Sequence, residues 1–295
     1  MLPIYLIVFI FGISIGSFLN VCIYRIPLNQ SIVKPRSHCP QCNHLIAWFD
    51  NIPLLSYLFL RGKCRYCKVR ISIRYFIVEL LTGLLFVLVV WQFHGITFAS
   101  ITYLVIVSSL VALSFIDLDH FILPDVMTYP LLILGLIISF ILSYVPNSGF
   151  LINHWMSGPF SMNFGRLYPL YNALFGMLVG GGILLLIGTI AKWILKKEAM
   201  GGGDVKLLAA MGTFIGYKLV LLTLILASFV GSVIGAVLLI QAKKKDKDTS
   251  SFGHYIPFGP YLAIGAVVAL IWGNDLINWY FNHLLGLGNL PIGVK

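Results

Sequence analysis

The chain has 295 residues, of which 59% are hydrophobic and only 10% charged, with a mean hydropathy of +0.94 and a formal net charge of +10. Too few charges are present to coat a water-soluble domain, so the bilayer is the solvent. The positive balance does not call for nucleic acid as a partner, because retention of basic loops on the cytoplasmic side and attraction to anionic lipid account for it.

Apolar stretches long enough to cross a membrane as helices of roughly 20 residues run over 2–24, 75–92, 101–115, 127–145, 171–193, 219–240 and 258–272. A shorter run at 207–216 is an eighth candidate, which crosses only if it is extended through Asp204 and Lys206 or lies re-entrant against its neighbours. The predicted fold is therefore all-α and polytopic, with about eight transmembrane helices. The first stretch is expected to stay in place as a helix over 1–24: no basic residue precedes it, and Gly16, Ser17 and Asn20 lie inside the apolar run instead of forming a cleavage site after it. Residues 25–74 form a cytoplasmic insert, and 75–295 carry the remaining spans.

Orientation follows from the basic residues. With the N-terminus outside, seventeen of the twenty Lys and Arg fall in cytoplasmic segments, and only Arg166, Lys218 and Lys295 fall outside. The insert then lies in a reducing compartment. Its cysteines read Cys39-Pro-Gln-Cys42 and Cys64-Arg-Tyr-Cys67, with 21 residues between the pairs, close to the spacing of a four-cysteine zinc knuckle. A segment this small needs a staple to hold its shape, and disulfides seldom persist in the cytosol. Four thiolates close the coordination shell, so the zinc is structural. Cys22 stands alone near the end of the first span and reads as a packing residue.

Ten acidic residues are few enough to take singly. Asp50, Asp246 and Asp248 lie in charged loops, Asp275 lies near an interface, and Glu198 accompanies Lys196 and Lys197. Glu79 sits inside the second span about one turn from the cytosol, where a carboxylate is costly without a partner or a function. The other four cluster in Asp117-Leu-Asp119-His-Phe-Ile-Leu-Pro-Asp125 and in Gly201-Gly-Gly203-Asp204. The reading places both clusters where a span ends at the cytoplasmic boundary, 87 positions apart in sequence and level in depth. Two carboxylates brought together share one proton, which is the state peptide hydrolysis uses: one takes a proton from the attacking water while the other donates to the carbonyl oxygen. The glycines before Asp204 are expected to allow extended or left-handed backbone and close approach of a substrate strand. Gly180, Gly181 and Gly182 form another run that reads as helix packing.

With these residues in view, the chain resembles the bacterial type IV prepilin peptidases, membrane aspartic proteases of the G-x-G-D type. The blocks that carry the likeness are Gly16-Ser-Phe-Leu-Asn-Val-Cys-Ile-Tyr-Arg25, the two C-x-x-C pairs, Asp50-Asn-Ile-Pro-Leu-Leu-Ser-Tyr57, the Asp117 and Asp204 motifs, and Ile256-Pro-Phe-Gly-Pro260. The resemblance implies Asp117 and Asp204 as catalytic residues, with Gly201, Gly203 and Glu79 taken as contacts for the substrate. It also implies type IV prepilins and type II secretion pseudopilins as partners, cleaved after a glycine at the cytoplasmic face of the bacterial inner membrane. N-methylation of the new N-terminus by S-adenosylmethionine comes from the resemblance alone, with 25–74 and its membrane flanks as the seat. One departure is the outer loop 146–169, longer than the family's usual link. Rival readings are an ion- or proton-coupled transporter, a presenilin-like intramembrane protease and a noncatalytic assembly factor.

Overall fold

The computed structural model describes residues 2–144, 165–196, 201–244 and 257–283. The outer loop 146–169 therefore lies largely outside the described residues, as do Glu198, Asp246, Asp248 and Ile256. Among the described residues the regular structure is helical, and seven helices are long and apolar enough to cross a membrane. The chain divides into two compact units, Met1–Ile116 and Asp117–Lys295.

The first unit contains α1 (Leu2–Arg25), a 3-10 turn (Trp48–Asn51), the short α2 (Leu55–Phe59), α3 (Ile73–Gln92) and most of α4 (Phe98–His120). Small residues let α1 and α3 touch backbone to backbone: a Cβ on Gly12 would stand 2.8 Å from the Gly83 Cα, and one on Gly16 would stand 2.7 Å from the Glu79 Cα. Lipid competes with side chains for apolar contact, so close backbone approach is what holds membrane helices together. Val8, Phe86 and Val90 fill the remaining seam.

The insert repeats one turn twice. In the first copy the Cys39 amide donates to the His44 carbonyl and Asn43 takes a positive φ of 54°. In the second the Cys64 amide donates to the Val69 carbonyl and Lys68 takes a φ of 59°. Each copy closes with a single antiparallel bridge, His38 to Leu45 and Lys63 to Arg70. Arg65 clamps Asp50 with two hydrogen bonds of 2.7 and 2.6 Å and lies over the Phe49 ring, which ties the second turn to the 3-10 segment.

The second unit contains α5 (Asp125–Tyr144), a 3-10 turn (Gly165–Leu167), α6 (Tyr168–Leu195), α7 (Gly202–Lys244) and α8 (Gly259–His283). The eighth predicted span, 207–216, is the first part of α7. Gly216, with φ 70° and ψ 176°, is a non-helical break between two helices, 202–215 and 217–244. The chain folds back there, since Leu208 and Val220 both pack against Gly180; the two predicted runs are these two helices. A side chain at Gly216 would also strike the Asn172 amide. Gly176 and Gly212 cross in direct contact, and Gly180 lies against the Leu208 carbonyl, which makes this stretch of α6 a packing face as its glycine run suggested. On the other side of α7, Gly135 makes room for Thr213, whose carbonyl accepts from the Ser139 hydroxyl at 3.2 Å.

Candidate active site

Asp117 lies in the last turn of α4 and is 5% exposed, whereas Asp119 in the same turn is exposed. A helix C-terminus disfavours a carboxylate, yet one oxygen of Asp117 accepts a 2.9 Å hydrogen bond from the Gly259 amide, the first residue of α8. The start of α8 follows from its sequence: Gly259 followed by Pro260 places a proline at the second helical residue, where its missing N–H is no loss. One orphan donor of that helix end, the Gly259 N–H, bonds Asp117, while the Tyr261 and Leu262 amides donate to the Phe258 carbonyl. Gly259 also lets the chain come this close, since a Cβ there would stand 2.6 Å from Asp117 Oδ2.

Asp204 is 8% exposed and sits in the first turn of α7, where the helix dipole favours a carboxylate. The sequence reading hung it on the end of the preceding span; the structure gives it to the following helix, because Gly202 and Gly203 are already helical. The three glycines adopt no positive φ, so left-handed freedom is not their use. Space is: a Cβ on Gly203 would stand 2.7 Å from Leu123 Cβ, and one on Gly201 would stand 3.3 Å from Asp204 Oδ2, while Gly202 meets nothing within 4 Å. Asp125, in the first turn of α5, accepts a 2.6 Å ion pair from Lys206, and Lys206 lies 5.1 Å from the Tyr129 ring centre. This brace fixes the first turn of α7 against the loop 121–124 that follows Asp117.

The two carboxylates lie within range of direct Coulomb repulsion. Their surroundings differ: Asp117 has a fixed N–H donor, whereas Asp204 Oδ1 is buried with no hydrogen-bond partner. A buried acceptor left open in this way costs about 1–3 kcal/mol until something donates to it or it carries a proton itself. The arrangement can therefore hold one ionised and one proton-bearing carboxyl group around a third, reacting group.

Comparison with known proteins decides the family. The model of the Type IV leader peptidase family matches residues 104–236, and that of the Bacterial Peptidase A24 N-terminal domain matches residues 10–93. A prepilin leader peptidase/N-methyltransferase of Aeromonas salmonicida is 37% identical over 305 residues, covering 95% of this chain and 94% of that protein. This chain belongs to the type IV leader peptidase family. Relatives bearing the same description in Pseudomonas aeruginosa, at 38% identity over 91% of this chain and 90% of theirs, and in Xanthomonas campestris, at 39% over 91% of each, agree. No solved structure matches. The transporter and presenilin-like readings receive no support from these relatives.

In this leader peptidase the four predicted cysteine ligands come together, with their sulfurs all within 4.8 Å of one another, so they could hold a metal ion. Ligands at about 2.3 Å around a tetrahedral ion stand about 3.8 Å apart, and the Cys39 and Cys67 sulfurs are 3.8 Å apart. The Cys64 thiol is drawn down to about 7 by the Cys67 and Tyr66 amides that donate to it. Cys67 is pushed up to about 11: the Val69 amide lowers it, but burial and the Cys64, Cys42 and Cys39 thiols outweigh that donor. Glu79 is buried in the first unit, away from this cluster in sequence, and accepts a 2.8 Å hydrogen bond from the Leu54 amide. The same unit holds a cavity of about 330 Å³ lined by Phe18, Val21, Arg25, Arg36, Trp48 and Asn51 among others.

Sequence reasoning quoted the Ile256–Pro260 block without giving Gly259 a role, and it missed the Lys206–Asp125 brace. The Gly259-Pro260 pair was the available signal, because it marks a helix start. What that start points at is a tertiary fact.

Proposed function

We propose that this chain is a membrane aspartic endopeptidase that removes the basic leader from type IV prepilins and pseudopilins after a glycine, and that N-methylates the new terminus. The observation that carries the peptidase is the pair of buried carboxylates at two helix ends, one held by the α8 amide and the other with an open oxygen. Asp117, charge-stabilised by Gly259 N–H, is the base that takes a proton from the attacking water. Asp204, whose Oδ1 has no donor, carries the proton that goes to the scissile carbonyl oxygen, and the roles reverse for the leaving amine. Gly201 and Gly203 are taken as backbone contacts for the substrate beside Asp204, with Gly203 packed on Leu123 and Gly201 against the Asp204 carboxylate. The positive-inside pattern supports a cytoplasmic-face position for the pair, in what we take to be the bacterial inner membrane, where a basic leader would also stay.

The four cysteines would hold zinc, which would supply structural cross-linking of 25–74 and no catalysis. Methyl transfer belongs to 25–74 with its flanking helices, with S-adenosylmethionine as donor; the cavity beside Arg25 and Trp48 is within the size range of small-molecule sites. Co-expression with a prepilin and mass spectrometry of the pilin N-terminus tests both activities together. A pilin that keeps its leader would overturn the peptidase, and a cleaved pilin without a methyl group would overturn the transferase.

A further inference from the structure

The mechanism above leaves one buried carboxylate unused. Glu79 is 8% exposed inside α3, and its hydrogen bonds come from neutral donors: the Leu54 amide at 2.8 Å and the Ser17 hydroxyl of α1. Leu54 adopts a φ of 60°, a left-handed conformation that a branched L residue rarely takes, and its amide is thereby aimed into the helix pair. One turn away, Asn20 is 3% exposed; its amide nitrogen donates 3.0 Å to the Tyr75 carbonyl, and its Oδ1 is buried with no partner. Gly16 brings the two helices into backbone contact at this level. The cluster is therefore rich in acceptors and poor in donors: a carboxylate, an amide oxygen without a hydrogen bond and, among the described residues, no cation bonded to either. Of the charged residues at these helix ends, Arg25 is spent on the Ser31 and Pro35 carbonyls and Arg74 lies over the Tyr75 ring. What completes such a site is a compact group with several N–H donors and a positive charge.

Resting on the methyltransferase reading, we propose that Glu79 and Asn20 bind the α-amino group of the cleaved pilin and that Glu79 is the base of methyl transfer. The amine arrives as an ammonium. One proton passes to the Glu79 carboxylate, and the freed lone pair attacks the methyl carbon of a sulfonium donor. The new C–N bond forms as the C–S bond breaks, and that electron pair stays on sulfur as a neutral thioether. The secondary ammonium leaves, and Glu79 returns its proton to solvent. Phe18 and Val21, the residues next to Ser17 and Asn20 on α1, line the cavity described above, on a face of the helix about 100° round from the amine site, and the donor's methyl group would have to reach the amine from that side.

The test uses the full-length enzyme in detergent with S-adenosylmethionine and two substrates, a prepilin and an apolar peptide with a free N-terminal amine. Glu79→Gln keeps an oxygen for the Leu54 amide but cannot take a proton. Leader removal by the same variant is the internal reference, and the ratio of methylation to cleavage at neutral pH is expected to fall by about 100-fold or more. The deficit should shrink as pH rises past the α-amino range of about 7.7–8.0, where the amine deprotonates unaided; a purely structural role would give no such recovery. Asn20→Leu is expected to raise the KM for the amine with little change in kcat. Wild-type methylation rates in Glu79→Gln, or a loss that ignores pH, would overturn the assignment, as would an unchanged KM in Asn20→Leu. A wild-type enzyme that cleaves but never methylates would remove the underlying reading instead, and the wild-type arm reports that separately.

Discussion

Gly259→Ala probes the site without touching either acid. The added Cβ would lie 2.6 Å from Asp117 Oδ2 and 3.2 Å from its Cγ, so the carboxylate must retreat by about 0.8 Å or more to reach ordinary contact. That movement also breaks the 2.9 Å hydrogen bond from the Gly259 amide. A displacement near 1 Å costs about 100-fold in rate, and a lost hydrogen bond to a charged group about 1.5–3 kcal/mol. These are two views of one displacement, so the expectation is about a 100-fold fall in kcat for leader removal, not their product. Gly259 does not have a positive φ, and alanine suits a helix start sterically, so the enzyme should be expressed and inserted normally. Gly182→Ala, whose Cβ would meet nothing within 4 Å, is the matched control. Timed cleavage of a purified prepilin, with melting temperature as a check on folding, reads the outcome. Near-wild-type turnover in Gly259→Ala would refute the claim that α8 positions Asp117.

Asp117→Asn and Asp204→Asn are each expected to abolish leader removal with expression intact, while Asp119→Asn, on the exposed side of the turn, is milder; gel assays of prepilin processing check this. Gly203→Val should lose cleavage with Asp204 still present, because its side chain would collide with Leu123, and Leu123→Ala in the same chain should restore part of the rate. Chelator challenge of reduced enzyme should strip the metal more readily as pH falls through about 7, where Cys64 takes up a proton in competition with the ion, and limited proteolysis within 25–74 should rise in step; elemental analysis finding no thiophilic metal would sink the site. Asp50 is held below the ordinary carboxylate range by its hydrogen bonds from Arg65, so its contribution is complete above that range and lost as pH falls through the lowered value; Asp50→Asn should flatten the acid limb of the insert's proteolysis profile.

Span positions were legible because lipid demands an apolar length, and the cysteine pairs were legible because metal ligation fixes residue type and spacing. The acids stood out because ten carboxylates in such a chain are individually visible. Their packing was not legible. Gly180 and Gly182 are equivalent letters in one run, yet the first touches the Leu208 carbonyl and the second touches nothing. The glycines before Asp204 suggested unusual backbone, whereas they serve as room for Leu123 and the carboxylate itself. Sequence names a residue that permits two things, conformational freedom and close approach, and only the facing element says which is used. Gly216 shows the other outcome, where the positive φ is adopted and the chain leaves one helix to begin the next between the two predicted runs.

The two candidate acids stand in opposite electrostatic positions on their own helices, and this makes α8 part of the site. Asp204 begins a helix and gains from that helix's dipole; Asp117 nearly ends one and would be penalised by it. Burial sharpens the penalty, because little water reaches a side chain that is 5% exposed. The compensation comes from outside α4, as the start of α8 delivers an N–H and its own positive end to the same carboxylate. The match to the peptidase family model stops at residue 236, before α8 begins. The geometry nevertheless places the Gly259 amide on Asp117, so in the proposed mechanism the acid that would otherwise be least able to hold charge at its position is the base, and its partner, with an open oxygen, is the proton carrier.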